Sequence, residues 1–509
     1  MKQDPLLIRS SPQKPGRERR SVIAQGILWS GFFQVFLVGT NFVSMLVLVR
    51  LLPPGEFGRA AAATGILAVL NCFNCSLFIA QALQLREGEE PDWTAHWRAG
   101  LYIQLALFLV CNAMAGLAWL VPPYQPMAAL LHLASIGLLI DCPNQIGLTS
   151  LRRALDYRSL RVVQAACTFL TMISSIALAF LGFGAFALII GSNVLHGIPV
   201  AVHLFAVRKW RPPRTWWQWP DWHGYRAPLR FGAQMSGSAL LTAGRAFLES
   251  LVLPGAIGYE AFGLLNRAQV LFATTVGRVN SLVLETVYPV LPRSADNPTQ
   301  FARHAGLYVE TMLLLSIPGA IFVGLEGPLL SRLLYGPKWI AADPLIWPGT
   351  ILAWGVAATL IFTAVLQAQN RLRLAFACSL VAACACLPAI VLVSLGQSTR
   401  IYAWALALGQ VAAAGVSAFL ASHFLREGWW QRGFAVPVLV ASCAAVVVII
   451  SNAWVTPFSA PVKLLIHSAL FAGVALLILR GCFPELLREL VLRLPGHAYF
   501  AKALRLQVR

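Results

Sequence analysis

Apolar residues run along this chain in blocks of about 20, separated by short polar or glycine- and proline-bearing segments. A helix of that length crosses a bilayer core of roughly 30 Å, and a helix pairs its backbone groups internally, as lipid requires. The blocks predict fourteen transmembrane helices, near residues 22–49, 60–81, 99–121, 126–148, 163–182, 184–207, 229–253, 262–290, 305–325, 344–368, 374–396, 401–424, 433–453 and 461–479. The shortest connections fall at Gly182–Gly184 and Gly396–Arg400. The first block follows a basic stretch with Lys2, Arg9, Lys14, Arg17, Arg19 and Arg20. It is too long for a signal-peptide core and lacks a small-residue cleavage site, so it reads as a retained first span.

Lysine and arginine orient these spans, because cytoplasmic loops carry the excess. With the N-terminus inside, the cytoplasmic segments hold 30 of the 39 basic residues, the outer segments hold 6, and Arg245, Arg267 and Arg278 lie within spans. One missed span would scramble that alternation, so both termini are expected in the cytoplasm. The chain then divides into a basic N-terminus (1–21), a six-helix half (22–207), a cytoplasmic Trp- and Arg-rich loop (208–228), a second six-helix half (229–424), two further transmembrane helices (425–480) and a cytoplasmic tail (481–509). Weak internal similarity supports the halves. Leu52-Pro53-Pro54-Gly55-Glu56-Phe57-Gly58 is echoed by Leu253-Pro254-Gly255 and Glu260-Ala261-Phe262-Gly263. Ala185-Phe186-Ala187-Leu188 is echoed by Ala403-Trp404-Ala405-Leu406. Six spans per half makes the repeat parallel, a common transporter plan with a central cavity and alternating access.

Composition agrees with an all-α polytopic membrane protein: 58% of the 509 residues are hydrophobic and 12% charged, against roughly 25% charged in soluble domains. The net charge of +19 is then chiefly an orientation signal rather than a nucleic-acid footprint. Trp210, Trp216, Trp217, Trp219 and Trp222, interleaved with Arg211 and Arg214, suit an interfacial aromatic belt. Of the ten cysteines, Cys72 and Cys75 form a Cys-x-x-Cys with no second pair and no nearby histidine, and are read as small buried residues rather than a metal or redox site. No metal site and no cofactor is expected. The chain contains no phosphate-binding Gly-x-x-x-x-Gly-Lys-Ser/Thr loop, no His-Glu-x-x-His and no loop large enough for a catalytic core, so it does not read as an enzyme.

Polar residues within spans are costly and usually face a cavity. In the seventh span Gln234, Ser238, Thr242, Arg245 and Glu249 recur every three or four residues and share one helical stripe. Arg267, Thr274, Arg278, Ser281 and Glu285 make a second stripe in the eighth, and Ser30, Gln34, Asn41 and Ser44 a milder one in the first. The second span carries Asn71, Asn74 and Gln81. Two readings of the three arginines and two glutamates stay open: an ion-pair network that fixes helix packing, or a cationic lumen for an anionic headgroup, since a guanidinium binds phosphate bidentately. The candidate substrate-binding residues are Arg245, Arg267, Arg278, Gln234, Thr242, Gln34 and Asn41; Glu249 and Glu285 are candidates for ion pairing or coupling. Asp141, His132, His196, His203 and Glu310 read as scattered packed or interfacial groups. A coupling proton, or a sodium ion, would need a carboxylate, and Glu249, Glu285, Glu310 and Asp141 are all open for that role.

Several motifs carry a family resemblance. They are Arg50-Leu51-Leu52-Pro53-Pro54-Gly55-Glu56-Phe57-Gly58, Leu151-Arg152-Arg153-Ala154-Leu155-Asp156-Tyr157-Arg158, Leu229-Arg230-Phe231-Gly232, Gly263-Leu264-Leu265-Asn266-Arg267-Ala268, Val287-Tyr288-Pro289-Val290 and Leu334-Tyr335-Gly336-Pro337-Lys338-Trp339. Together they resemble Wzx/WzxC-type polysaccharide-export flippases of the MOP (multidrug/oligosaccharidyl-lipid/polysaccharide) exporter superfamily, a resemblance that covers roughly residues 20–375. The resemblance implies flipping of undecaprenyl-diphosphate-linked oligosaccharide across a bacterial inner membrane for exopolysaccharide or lipopolysaccharide biosynthesis. It alone implies membrane lipids, a polysaccharide polymerase and a copolymerase as partners; nucleic acid is not expected. The alternative is a MATE-like cation-coupled small-solute or drug antiporter. That reading predicts a coupling carboxylate in the first half, and the first two spans carry no charge near their centres.

Overall fold

The computed structural model describes residues 33, 36–85, 89–212, 214–278, 280, 288 and 290–491. Among these, all regular structure is helical. The elements are α1 (Phe36–Leu51), α2 (Pro54–Leu83), α3 (Trp93–Leu120), α4 (Pro122–Arg153), α5 (Tyr157–Phe180), α6 (Ala185–Val207), α7 (Arg226–Thr274), α8 (Pro298–Leu334), α9 (Pro337–Ala368), α10 (Leu372–Ser394), α11 (Thr399–Ser422), α12 (Gln431–Val455), α13 (Ala460–Cys482) and the short α14 (Pro484–Val491). Eleven of them are long and apolar enough to cross a membrane. The shorter α1 and the two arms of α7, which breaks at Gly258 (φ 79°), occupy the remaining three predicted places. The protein is therefore a multi-pass, all-α membrane protein.

The breaks and starts follow from side chains that serve free backbone N–H groups. Asp92 opens α3 by accepting from Ala95 N at 2.9 Å, and Asp156 opens α5 by accepting from Ser159 N at 3.1 Å. Asn297 does the same for α8, accepting from Gln300 N at 3.1 Å. Within α2 the helix stops at Asn71 and restarts after Asn74, whose Oδ1 accepts from Ser76 N at 2.9 Å. α6 is irregular, with π-helical turns at Ile190–Leu195 and His203–Val207.

The chain forms two compact units, divided between Gly263 and Leu264 just beyond the α7 break. In the first, close packing depends on missing side chains. A Cβ on Gly65 of α2 would lie 1.9 Å from Ser250 Oγ of α7, and one on Gly137 of α4 would lie 2.2 Å from the Asn193 carbonyl oxygen of α6. Small residues allow this approach in lipid, where interhelical packing replaces the hydrophobic drive. In the second unit α8 is central and packs on α9, α12 and α13. Its core joins Phe301, Tyr308 and Met312 to Phe362 and Val365 of α9. Arg426 ties α8 to α14 by pairing with buried Glu310 and with Glu489 (3.4 Å). The Glu310 hydrogen bond holds the Arg426 guanidinium above its ordinary pKa. Glu326 Oε1 of α8 and His467 Nδ1 of α13 are 2.8 Å apart, with both side chains buried.

Candidate functional site

The first arm of α7 carries the stripe. Gln234 and Thr242 are exposed, Arg245 is half-buried and Glu249 buried. Arg245 Nη1 donates to Glu249 Oε1 at 3.0 Å. The deep end of the stripe thus lies where α2 presses on α7 at Ala246 and Ser250, and its polar end is open. In the second unit Arg267 donates to Oδ1 of its neighbour Asn266 at 2.9 and 3.3 Å, and Arg278 is exposed. Asn41 of α1 is exposed. Gln34 and Glu285 lie outside the described residues.

The motif residues act as fasteners. Glu56 reaches from α2 to α6, where its Oε2 accepts from Ala185 N at 2.7 Å beside Gly184 (φ 55°), and it pairs with Arg59 at 3.1 Å. Arg153 donates to the carbonyls of Ala82 (2.6 Å) and Leu85 (3.3 Å), closing the turn after α2. Asp156 caps α5 and pairs with Arg208 at 3.0 Å. Gly336 (φ 91°) turns the chain between α8 and α9 so that Tyr335 and Trp339, both buried, stack edge-on at 5.8 Å. In the tryptophan-rich loop, Trp216, Trp217 and Trp219 are exposed, whereas Trp210 packs against Trp97 and Phe205. Beside this loop, His96 Nδ1 and the Tyr225 hydroxyl are 2.8 Å apart, and burial pushes that hydroxyl above its ordinary pKa.

Sequence reasoning read Asp141 and His196 as scattered; the structure gathers them. They line one polar cavity of about 150 Å³ between α2, α4 and α6, together with Asn71, Asn144, Ser192 and Asn193. The signal was present in the spacing: Asp141 and Asn144 are three apart on α4, and Ser192, Asn193 and His196 share a turn of α6. Each group was too short to register as a stripe. Cys72 and Cys75 are buried free thiols. Among the described residues no group of three His, Cys, Asp or Glu is placed to hold a metal.

The fold is that of a multi-pass membrane protein and is similar to the folds of a lipid flippase and a multidrug transporter. A Lipid II flippase MurJ in an inward closed conformation superposes with TM-score 0.70 at 12% identity, over 89% of this chain and 99% of that one. An inward-facing multidrug resistance MATE family transporter of the MOP superfamily gives TM-score 0.53 at 16% identity, over 75% and 93%. The chain belongs to the family described as "Polysaccharide biosynthesis protein", which it matches over residues 47–344, bearing out the resemblance carried by its motifs. It is 23% identical over 331 residues to the succinoglycan biosynthesis transport protein ExoT of Rhizobium meliloti (strain 1021), covering 64% of this chain. It is 24% identical over 293 residues to the teichuronic acid biosynthesis protein TuaB of Bacillus subtilis (strain 168), covering 56%. The matched regions span 65% and 58% of those two relatives' own lengths.

Proposed function

We propose that this protein is a flippase that moves undecaprenyl-diphosphate-linked oligosaccharide repeat units across the bacterial inner membrane, from the cytoplasmic to the periplasmic leaflet, for exopolysaccharide or lipopolysaccharide biosynthesis. The observation that carries this reading is membership of the polysaccharide biosynthesis family over residues 47–344. The exporter architecture is what such a task needs: a hydrophilic path for sugar and diphosphate while the lipid tail stays in the bilayer. In this reading both termini are cytoplasmic, and the halves 22–207 and 229–424 alternate access around a central cationic cavity. Arg245, Arg267 and Arg278 hold the diphosphate, because a guanidinium matches phosphate geometry and keeps its charge. Gln34, Asn41, Gln234 and Thr242 hydrogen-bond sugar hydroxyls, and Glu249 and Glu285 balance the arginines. A polymerase and copolymerase receive the product.

The test is leaflet exposure of a lipid-linked repeat unit in cells lacking this protein, complemented with the native chain or with Arg245→Gln, Arg267→Gln or Arg278→Gln. The expected result is that deletion traps the unit on the cytoplasmic side and that the Gln variants fail at normal membrane abundance. Intact flipping in the deletion strain overturns the function and favours a small-solute antiporter. Full rescue by the Gln variants removes the arginines from the substrate site.

A further inference from the structure

The polar cavity of the first unit holds a carboxylate in an unusual setting. Asp141 Oδ2 accepts from Asn74 Nδ2 at 2.6 Å, and Asp141 Oδ1 lies 3.4 Å from Asn144 Nδ2. The Asn74 amide is locked in that sense, because its own Oδ1 caps the restarted α2 helix at Ser76 N. Asn144 is only 6% exposed, and its Oδ1 has no hydrogen-bond partner although it borders the cavity. A buried acceptor without a donor is an unsatisfied group that native structures rarely keep. Across the cavity, the π-helical turn Ile190–Leu195 brings Ser192, Asn193 and His196 to the wall. Such turns recur at functional positions. This one is held by Gly137 against the Asn193 carbonyl, and by Gly197, where a Cβ would lie 3.5 Å from Asn144 Cγ.

The other described carboxylates that the sequence left open for coupling are placed differently. Glu249 is bonded to Arg245 and Glu310 to Arg426, so protonating either breaks an ion pair. Asp141 is bonded to neutral amides. The groups facing it are few. α6 presents His196; α2 presents Asn74 and, further along, the Cys75 thiol; α4 itself presents Asn144 and Cys142. Among the described residues α3, beyond Cys142, presents Trp97 and Gly100, which do not titrate, and α5 meets His196 through Thr171 Oγ1 at 3.1 Å.

We infer that Asp141, with Asn74, Asn144 and His196 around it, forms a proton-binding site in the first unit. A proton from water adds to Asp141 Oδ1 and takes the carboxylate from −1 to neutral. The new O–H donates to Asn144, whose amide turns over to offer the oxygen that otherwise lacks a donor. Asn74 keeps its bond to Oδ2 in both states. His196 lines the same cavity and offers the proton a second base on its way in or out. The ligand is a proton rather than sodium, because the fixed Asn74 group turns a donor, not an oxygen, toward the carboxylate. This assignment rests on the exporter reading only for its use, which is to couple proton movement to export.

The experiment is infrared difference spectroscopy of the full-length protein in lipid nanodiscs across a pH titration, following the carbonyl stretch of protonated carboxyl groups. The expected result is a titrating band in the wild type that disappears in Asp141→Asn and moves in frequency in Asp141→Glu. Asn144→Leu, which removes the acceptor of the new O–H and leaves the acid in place, retains the band and moves it to the higher frequency of a less hydrogen-bonded carboxyl. The wild-type titration is the same in sodium and in choline chloride. A band unchanged in Asp141→Asn overturns the site, as does an Asn144→Leu band at the wild-type frequency, or a wild-type titration displaced by sodium. No lipid substrate enters this measurement. Its failure is therefore distinct from failure of the leaflet assay, which bears on the exporter reading alone.

Discussion

Gly58 and Gly263 stand so close that a Cβ on either would lie 3.0 Å from the backbone nitrogen of the other. They are the last residues of the two echoed motifs, Glu56-Phe57-Gly58 and Glu260-Ala261-Phe262-Gly263, so two copies of one sequence pattern meet backbone to backbone within the first unit. The obstacle to a side chain is main chain: Tyr259 O at 1.8 Å from a Gly58 Cβ, and Pro54 O at 1.9 Å from a Gly263 Cβ. Main chain cannot rotate away as a flexible side chain can. Gly58→Ala and Gly263→Ala are therefore expected to destabilise the purified protein by about 1–3 kcal/mol. Gly55, in the same motif, has open space where its Cβ would be, and Gly55→Ala is the matched control. The check is thermal unfolding in detergent; equal melting temperatures for all three variants would show that the close approach is not made.

Glu56 is the other fastener in that motif, and its effect is electrostatic. Its carboxylate meets the N-terminus of α6 at Ala185 N, where three further N–H groups point the same way and the helix dipole favours an anion. Glu56→Ala is expected to cost about 0.5–2 kcal/mol, the range for a lost N-terminal cap. Glu56→Gln keeps a hydrogen-bond acceptor and loses the charge, so its melting temperature is expected between those of Glu56→Ala and the wild type. A Gln variant as unstable as the Ala variant would place the whole contribution in the charge.

Arg426 separates a buried partner from an exposed one. Glu310 has 2% of its side chain exposed and Glu489 38%. Arg426→Met leaves Glu310 as a buried charge without its guanidinium, a change that costs about 3–5 kcal/mol. Glu489→Gln breaks only the outer contact, of the kind worth about 0–1 kcal/mol. Unfolding of the two variants in parallel is expected to show a large loss for the first and almost none for the second. The reverse order would mean that anchoring α14, rather than satisfying Glu310, is the arginine's contribution.

How far the sequence could be read differs by scale, for a physical reason. Spans were legible because lipid demands about 20 apolar residues in a row, a constraint that each segment meets by itself. The α7 stripe was legible because five polar residues at helical spacing lie in one helix. The Asp141 cavity was not, because no one of the three helices that line it supplies more than three of its polar residues, and no local pattern records which faces meet. The same holds for the arginines: the sequence placed Arg245 and Glu249 four apart, but not that Glu249 is buried while Gln234 and Thr242 are exposed. Glu56 shows the converse. It was visible as part of a motif, yet its partner Ala185 lies 129 residues away.

The Arg245–Glu249 pair can be a strut, a substrate contact or both, and a double-mutant cycle separates these. Arg245→Gln takes the guanidinium away from Glu249, of which 9% of the side chain is exposed. If the pair is a strut, that single change lowers the melting temperature, by the equivalent of about 3–5 kcal/mol for a fully buried pair. Glu249→Gln added to it then restores stability, because the buried charge is gone. Repeat-unit flipping by the double variant supplies the second readout. A diphosphate contact at Arg245 predicts a stable double variant that still flips at least tenfold more slowly than wild type, since a lost charge-assisted hydrogen bond of about 1.5–3 kcal/mol is at least that factor. A stable double variant with wild-type flipping would assign the pair to helix packing alone and leave the cationic path to Arg267 and Arg278.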